Sequence, residues 1–218
     1  MLIVAGERRV LIDSGSGNDN FLQNMRSAGV EPEDIDTLVI THADSDHIGG
    51  LVDKRGQIVF VNARHIMLRE AWDLYTSEVF LEHSQGYWAD FVRDVVPLLK
   101  ECVEVIEPDE EILSGIQVVD APGHREGHFA LHIYSKDENL LHVADSIHHL
   151  IFLAHPAWQS DFDSYPEIAK QIRSRLFSLA EREQSIVFVP HFTYPGLGYL
   201  VSEGDSWRWQ PVNLQNEK

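Results

Sequence analysis

The stretch Thr41-His42-Ala43-Asp44-Ser45-Asp46-His47-Ile48-Gly49-Gly50, directly after the apolar run Leu38-Val39-Ile40, places four potential metal ligands within six residues. Imidazole and carboxylate are the donors that suit zinc and similar divalent ions. The apolar run reads as a buried strand, so His42, Asp44, Asp46 and His47 stand at its mouth. In a loop leaving a strand, alternate residues can turn toward one point while the next pair turns toward a second. One short loop can therefore serve two neighbouring cations.

Three further strand ends carry complementary donors. In Asp120-Ala121-Pro122-Gly123-His124, proline and glycine make a tight turn that presents His124. In Leu141-His142-Val143-Ala144-Asp145, the carboxylate emerges where a strand ends, and its two oxygens can bridge two cations. In Val187-Phe188-Val189-Pro190-His191, a histidine follows an apolar strand directly. A single histidine after a strand is usually an ordinary loop residue. Seven donors in four separate strand-end loops point to a metal site.

The flanking sequence supplies the frame. Leu2 to Ala5 and Val10 to Ile12 flank Gly6-Glu7-Arg8-Arg9 as a β-hairpin. A helix capped by Asn18 or Asp19 runs to about Ala28, with Gly29 as its stop. A strand is expected over Thr37 to Thr41, and Gln57 to Val61 is a short apolar run. Helical stretches follow at roughly His65 to Glu82 and Tyr87 to Glu104, the second perturbed at Pro97. Later strands are expected at Ile116–Asp120, Phe129–Tyr134, Leu140–Ala144 and Ser185–Val189. Ser164-Tyr165-Pro166-Glu167 has the form of a capping box opening a helix whose Ile168, Ile172, Leu176 and Leu179 follow helical spacing. The chain reads as one domain, residues 1–218, with two βα-rich halves.

Composition narrows the partners. The 218 residues carry 17 Lys and Arg against 35 Asp and Glu, and the net charge of −18 argues against nucleic acid or an anionic membrane surface. The single cysteine, Cys102, excludes an internal disulfide framework and reads as a packed thiol in a reducing compartment. No run approaches the 18 to 20 or so apolar residues of a membrane span. A cytoplasmic protein acting on a small molecule is expected.

Taken together, the residues resemble the metallo-β-lactamase superfamily, whose signature is His-x-His-x-Asp-His followed by a distal His, a bridging Asp and a final His. The similarity runs through Leu11-Ile12-Asp13-Ser14-Gly15, Thr41 to Gly50, Ala121 to His128, Ala144-Asp145 and Pro190-His191. Within the superfamily the chain is similar to acyl-homoserine-lactone lactonases and methyl-parathion-hydrolase-like enzymes, at Pro32 to Asp36, His155-Pro156-Ala157-Trp158, Phe162-Asp163 and His191 to Gly198. The resemblance implies an α+β fold, the four-layer αββα sandwich. Relatives usually carry additional N-terminal strands, so either this start is late and those strands are lacking, or the pocket is more open than usual.

The resemblance also implies a binuclear site. His42, Asp44 and His124 would hold the first cation, Asp46, His47 and His191 the second, and Asp145 would bridge them. Zinc is favoured, with manganese, iron and cobalt as alternatives. Asp44 departs from the pattern, because most relatives place histidine there. A carboxylate adds negative charge, hardens the site toward manganese or iron, and lowers the acidity of the bound water. The implied activity is hydrolysis of a lactone, carboxylic ester, thioester or phosphotriester by a metal-bound hydroxide, with Asp46 and Asp145 catalytic. A catalytically degenerate, ligand-binding member of the same fold is the alternative. Tyr194, His128 and His149 are candidate auxiliary donors, and Trp72, Trp88, Trp158 and Phe192 candidate pocket walls. The resemblance also implies a homodimer.

Overall fold

Thr37, Leu38 and Val39 are all buried, with no alternation between faces. Such a run belongs to a strand flanked by parallel neighbours and covered on both sides. A computed structural model gives the chain as two compact units, Met1–Glu107 and Pro108–Lys218. It describes residues 1–17 and 19–213; the expected cap at Asn18 and the side chain of Asp19 lie outside the described residues.

The first unit runs β1 (Leu2–Ala5), β2 (Arg8–Ile12), α1 (Asp19–Ser27), β3 (Thr37–Val39), α2 (Ser45–Ile48), β4 (Arg64–Leu68), α3 (Arg69–Tyr75), α4 (Glu78–His83), α5 (Tyr87–Val95) and β5 (Val103–Ile106). Its sheet follows chain order, β1-β2-β3-β4-β5. The hairpin pairs Leu2 with Leu11, and the remaining ladders are parallel, with Leu11 beside Leu38 and Leu38 beside His65. Parallel neighbours need crossovers, which the helical segments provide.

Two expectations are corrected here. The segment from His65 begins as the buried strand β4 and turns helical only at Arg69. The segment from Tyr87 ends its α-helix at Val95, tightens into a 3-10 turn over Val96–Glu101 and becomes β5. Pro97 lies in that tightened turn, where the helix breaks. Leu38, Ile40, Ile48, Leu51, Phe60, Met67 and Tyr75 anchor this unit's core. The Cys102 thiol is half-buried against the Leu99 carbonyl, and burial raises its pKa, as suits a packed thiol.

His65 lies wholly buried in β4, and burial pushes its pKa down, opposed more weakly by the Ala63 backbone. Folding therefore favours the neutral ring. The unfolded chain takes up this proton first, near pH 6.5. The stability His65 contributes is thus complete above that pH and is lost as pH falls toward the depressed folded value. Urea midpoints at pH 7.5 and 5.5 should differ less for His65→Leu than for the parent. Equal pH dependence would exclude His65 as a source.

The second unit runs β6 (Glu111–Leu113), β7 (Ile116–Asp120), β8 (Phe129–Ser135), β9 (Glu138–His142), α6 (Ile151–Ala154), α7 (Pro166–Arg182), β10 (Ile186–Phe188), β11 (Leu197–Glu203) and β12 (Ser206–Pro211). Sheet order is β12-β11-β10-β9-β8-β7-β6, with β9 and β10 parallel. The strands β6, β11 and β12 extend the sheet beyond the expected four. Helix α7 buries Ala169, Arg173, Leu176, Phe177 and Ala180, a stripe at helical spacing. Its N-cap is Tyr165, without a side-chain cap, and Pro166 fills the first turn; the capping box expected at Ser164 does not form. A second core gathers Leu141, Val143, Leu153, Leu176, Phe177, Val187 and Val189. No helix among the described residues is long and apolar enough to cross a membrane.

Candidate metal centre

In the first unit, β3 delivers the donor loop and Asp13 holds it. Asp13 follows β2 with a backbone φ of 56°, a left-handed conformation that aspartate tolerates better than most residues. Its Oδ1 accepts the Thr41 amide at 2.9 Å, and its Oδ2 accepts the Thr41 hydroxyl at 2.9 Å. His47 Nδ1 lies 2.8 Å from the same Oδ2. A carboxylate only accepts, so His47 carries its proton on Nδ1. The Thr41 hydroxyl has given its proton to Asp13, so at 3.0 Å it accepts from His42 Nδ1.

Both rings thus offer the Nε2 lone pair. His42 Nε2 lies 3.9 Å from Asp44 Oδ2, and His47 Nε2 lies 3.7 Å from Asp46 Oδ2. The two ring centroids are 3.9 Å apart. Asp44 is largely enclosed and Asp46 half open, with side chains 14% and 48% exposed. Within this unit the loop's donors therefore form two pairs, His42 with Asp44 and His47 with Asp46, whose imidazoles stand side by side.

The glycines explain how the turn reaches that loop. Ser14 N and Oγ donate to the His47 carbonyl, and Ser14 Oγ accepts from Gly50 N. A Cβ on Gly49 would stand 2.5 Å from the Ser16 carbonyl carbon, and one on Gly50 2.3 Å from the Ser14 oxygen. Only glycine permits this backbone-to-backbone approach.

In the second unit, Asp145 stands in the 3-10 turn Ala144–Ser146 after β9. Ala144 takes a φ of 44°, strained for a residue with a Cβ, and this turns Asp145 off the strand. The Asp145 amide donates to His128 Nε2 at 3.1 Å, while His128 Nδ1 donates to the Ala121 carbonyl at 2.6 Å. Three imidazoles approach Asp145 Oδ2 through Nε2: His191 at 3.0 Å, His148 at 3.5 Å and His124 at 3.7 Å. Ligand atoms of His124, Asp145 and His148 lie within 4.8 Å of one another. On its far side, His124 Nδ1 donates to Asp163 Oδ1 at 3.1 Å.

The donor chemistry fits a divalent cation. Ligating imidazoles characteristically engage their second nitrogen with a carboxylate, hydroxyl or carbonyl, which fixes the tautomer and raises the basicity of the first. His47, His42 and His124 have that arrangement. Clustered carboxylates repel one another without a compensating charge, and a cation supplies it.

Sequence reasoning assigned no role to Asp13, Asp163 or His148. Asp13 and Asp163 stood in motifs noted for resemblance alone, and His148 carried no motif signal. His128 serves as a positioning group, whereas His149 is exposed and accepts the Ile151 amide. Tyr194 is 89% exposed. Trp72 and Trp88 pack on the first core, Phe192 packs on the second, and Trp158 stacks on His155.

A family model described as the metallo-beta-lactamase superfamily matches residues 1–191. An N-acyl homoserine lactonase from Bacillus sp is 28% identical over 180 residues, covering 79% of this chain and 62% of that relative. A namesake from Bacillus cereus is 26% identical with the same coverage. The chain thus spans less than two thirds of the length of these curated relatives. Among solved structures, AidC, a dizinc quorum-quenching lactonase in complex with a product, superposes with a TM-score of 0.89 at 25% identity, covering 99% of this chain and 79% of that one. The hydrolase AbOPH gives a TM-score of 0.88 at 23% identity over the same shares, a likeness of fold alone.

Proposed function

This chain belongs to the metallo-beta-lactamase superfamily, and from that premise we propose that it is a metal-dependent hydrolase of an ester-like bond. In this reading the two units act as one domain. His42, Asp44 and His124 take one divalent cation, Asp46, His47 and His191 take a second, and Asp145 serves both. The supporting observation is the shared tautomer: His42, His47 and His124 each commit Nδ1 to a protein oxygen and keep Nε2 for a ligand.

Bound cations would supply Lewis acidity and bring the pKa of water toward neutrality. The chain's own groups do the remaining work. Asp13 and Asp163 hold the imidazoles in their ligating tautomer. His128 fixes the backbone of Asp145. Asp46, the more open carboxylate, orients the attacking water. A lactone is the leading substrate because the curated relatives are N-acyl homoserine lactonases; carboxylic esters, thioesters and phosphotriesters share the electrophile geometry. Zinc is the leading metal, since AidC is a dizinc lactonase. The substrate is a small molecule, with neither nucleic acid nor membrane as partner. A cytoplasmic homodimer completes the reading.

The test is metal analysis of the purified protein, paired with turnover on lactone, aryl ester and phosphotriester substrates under zinc, manganese and cobalt. Two equivalents of metal with turnover are expected. Bound metal with no turnover on any substrate would favour a degenerate ligand-binding member instead. Asp44→His should shift preference from manganese toward zinc by about tenfold, since imidazole is the softer donor. An unchanged competition profile would remove Asp44 from the ligand set.

A further inference from the structure

Arg173 is wholly buried on the inner stripe of α7, and the hydrolase reading assigns it no role. A buried guanidinium is costly unless its donors are satisfied and its charge is paired. Its partners lie on the Asp145 loop and on the segment before α7 that contacts His124. Nε donates to the Ser146 carbonyl at 3.0 Å, one residue past Asp145. Nη2 lies 3.6 Å from Asp163 Oδ2, and Asp163 Oδ1 accepts from His124 Nδ1. Nη1 donates to the Trp158 carbonyl at 3.0 Å, and the guanidinium stacks 4.4 Å from the Phe152 ring centroid. Asp163 is itself buried, its side chain 1% exposed.

We propose that Arg173 is a positioning residue that ties the His124 loop and the Asp145 loop together, acting on His124 through Asp163. The inference rests on the cation reading above and extends it to a residue that touches no ligand atom. The guanidinium has two effects. It faces Asp163 Oδ2 across 3.6 Å and so fixes the carboxylate with Oδ1 turned to His124 Nδ1, which holds the imidazole proton there. Its rigid fork also sets the distance between the Ser146 carbonyl and Asp163, which the compact ammonium of lysine cannot reproduce.

The experiment uses the full chain with Arg173→Met, Arg173→Lys, Asp163→Asn and the Met/Asn double variant. Cobalt(II) titration followed by absorption reads cation affinity. Nitrogen-15 NMR of labelled histidines, in cation-free protein, reads the His124 tautomer. Arg173→Met should weaken cobalt binding about 10–100-fold, the scale for removing a group that supports a ligand, with Arg173→Lys between it and the parent. The double variant should lose no more than the worse single variant, because both act on one ring. His124 should be an Nδ1-protonated tautomer in the parent and a mixture in Arg173→Met.

If Arg173→Met melts lower yet keeps the parent's cobalt affinity and His124 tautomer, Arg173 is only a core residue and the proposal is overturned. Additive losses in the double variant would overturn the route through Asp163. Should the parent bind no cobalt, the cation reading fails, and the tautomer measurement still decides the role of Arg173. If Arg173→Met does not fold, Arg173→Lys and Asp163→Asn carry the same comparison.

Discussion

Asp145→Ala should lower turnover by about 10³-fold or more, the scale on which a group acting at the reacting centre is lost, and should remove most bound metal. Three imidazole Nε2 atoms lie within 3.7 Å of its Oδ2, so its removal takes the shared counter-charge from all of them. A thermal melt separates this loss from simple misfolding. Cations that bind the native state raise its stability by about 2.7 kcal/mol at a hundredfold excess over Kd. The parent should gain that increment on adding zinc, and Asp145→Ala should gain little. Asp145→Asn keeps the volume and one acceptor oxygen and should fall between them. Parent-like turnover in Asp145→Ala would refute the proposed site.

Asp13→Ala should cost about 3 kcal/mol of stability, although Asp13 is assigned to no cation. Hydrogen bonds to a charged group are each worth about 1.5–3 kcal/mol, and three donors converge on this carboxylate. Losses within one network overlap, which keeps the sum below the simple total. Alanine also tolerates a φ of 56° poorly, a strain of about 1–2 kcal/mol. Asp13→Asn tolerates that backbone and so isolates the lost acceptor: its amide nitrogen would confront Thr41 or His47, both donors. Cation affinity should fall about 10–100-fold in both variants. Denaturant midpoints and cobalt titration check the two effects separately, and a midpoint unchanged in Asp13→Ala would contradict the bracing role.

The donor loop was legible because its residues are adjacent in sequence and their chemistry is restricted. The α+β class was legible for a related reason: strand ends carried the donors, and helical spacing marked Ile168, Ile172, Leu176 and Leu179, although the buried stripe is centred on Ala169, Arg173, Leu176, Phe177 and Ala180 and leaves Ile168 43% exposed. The strand β4 was not. His65-Ile66-Met67-Leu68 is buried without alternation and runs directly into Arg69-Glu70-Ala71, so its local pattern matches a helix that starts four residues early. The parallel pairing of β4 with β3 on one side and β5 on the other decides the matter, and that is tertiary information. The strand β12 carried a signal that was missed, the alternation Trp207-Arg208-Trp209. His148 and Arg173 had none, and Asp163 stood only in the pair Phe162-Asp163 noted for resemblance, because all three meet their partners only after chain reversals: His148 through the turn after β9, Asp163 and Arg173 across 39 and 27 residues.

The contact of Gly49 and Gly50 with the Ser14 to Gly17 turn is made by main-chain atoms that every residue shares. It is therefore blind to chemistry and sensitive only to bulk. A saturation library across this region should show sharp intolerance at 49 and 50, and at 17, where a Cβ would stand 2.1 Å from the Gly49 oxygen. Exposed Lys54 and Arg55 should accept nearly any side chain. Variants at Asp44 are free to change its surroundings only outside that seam.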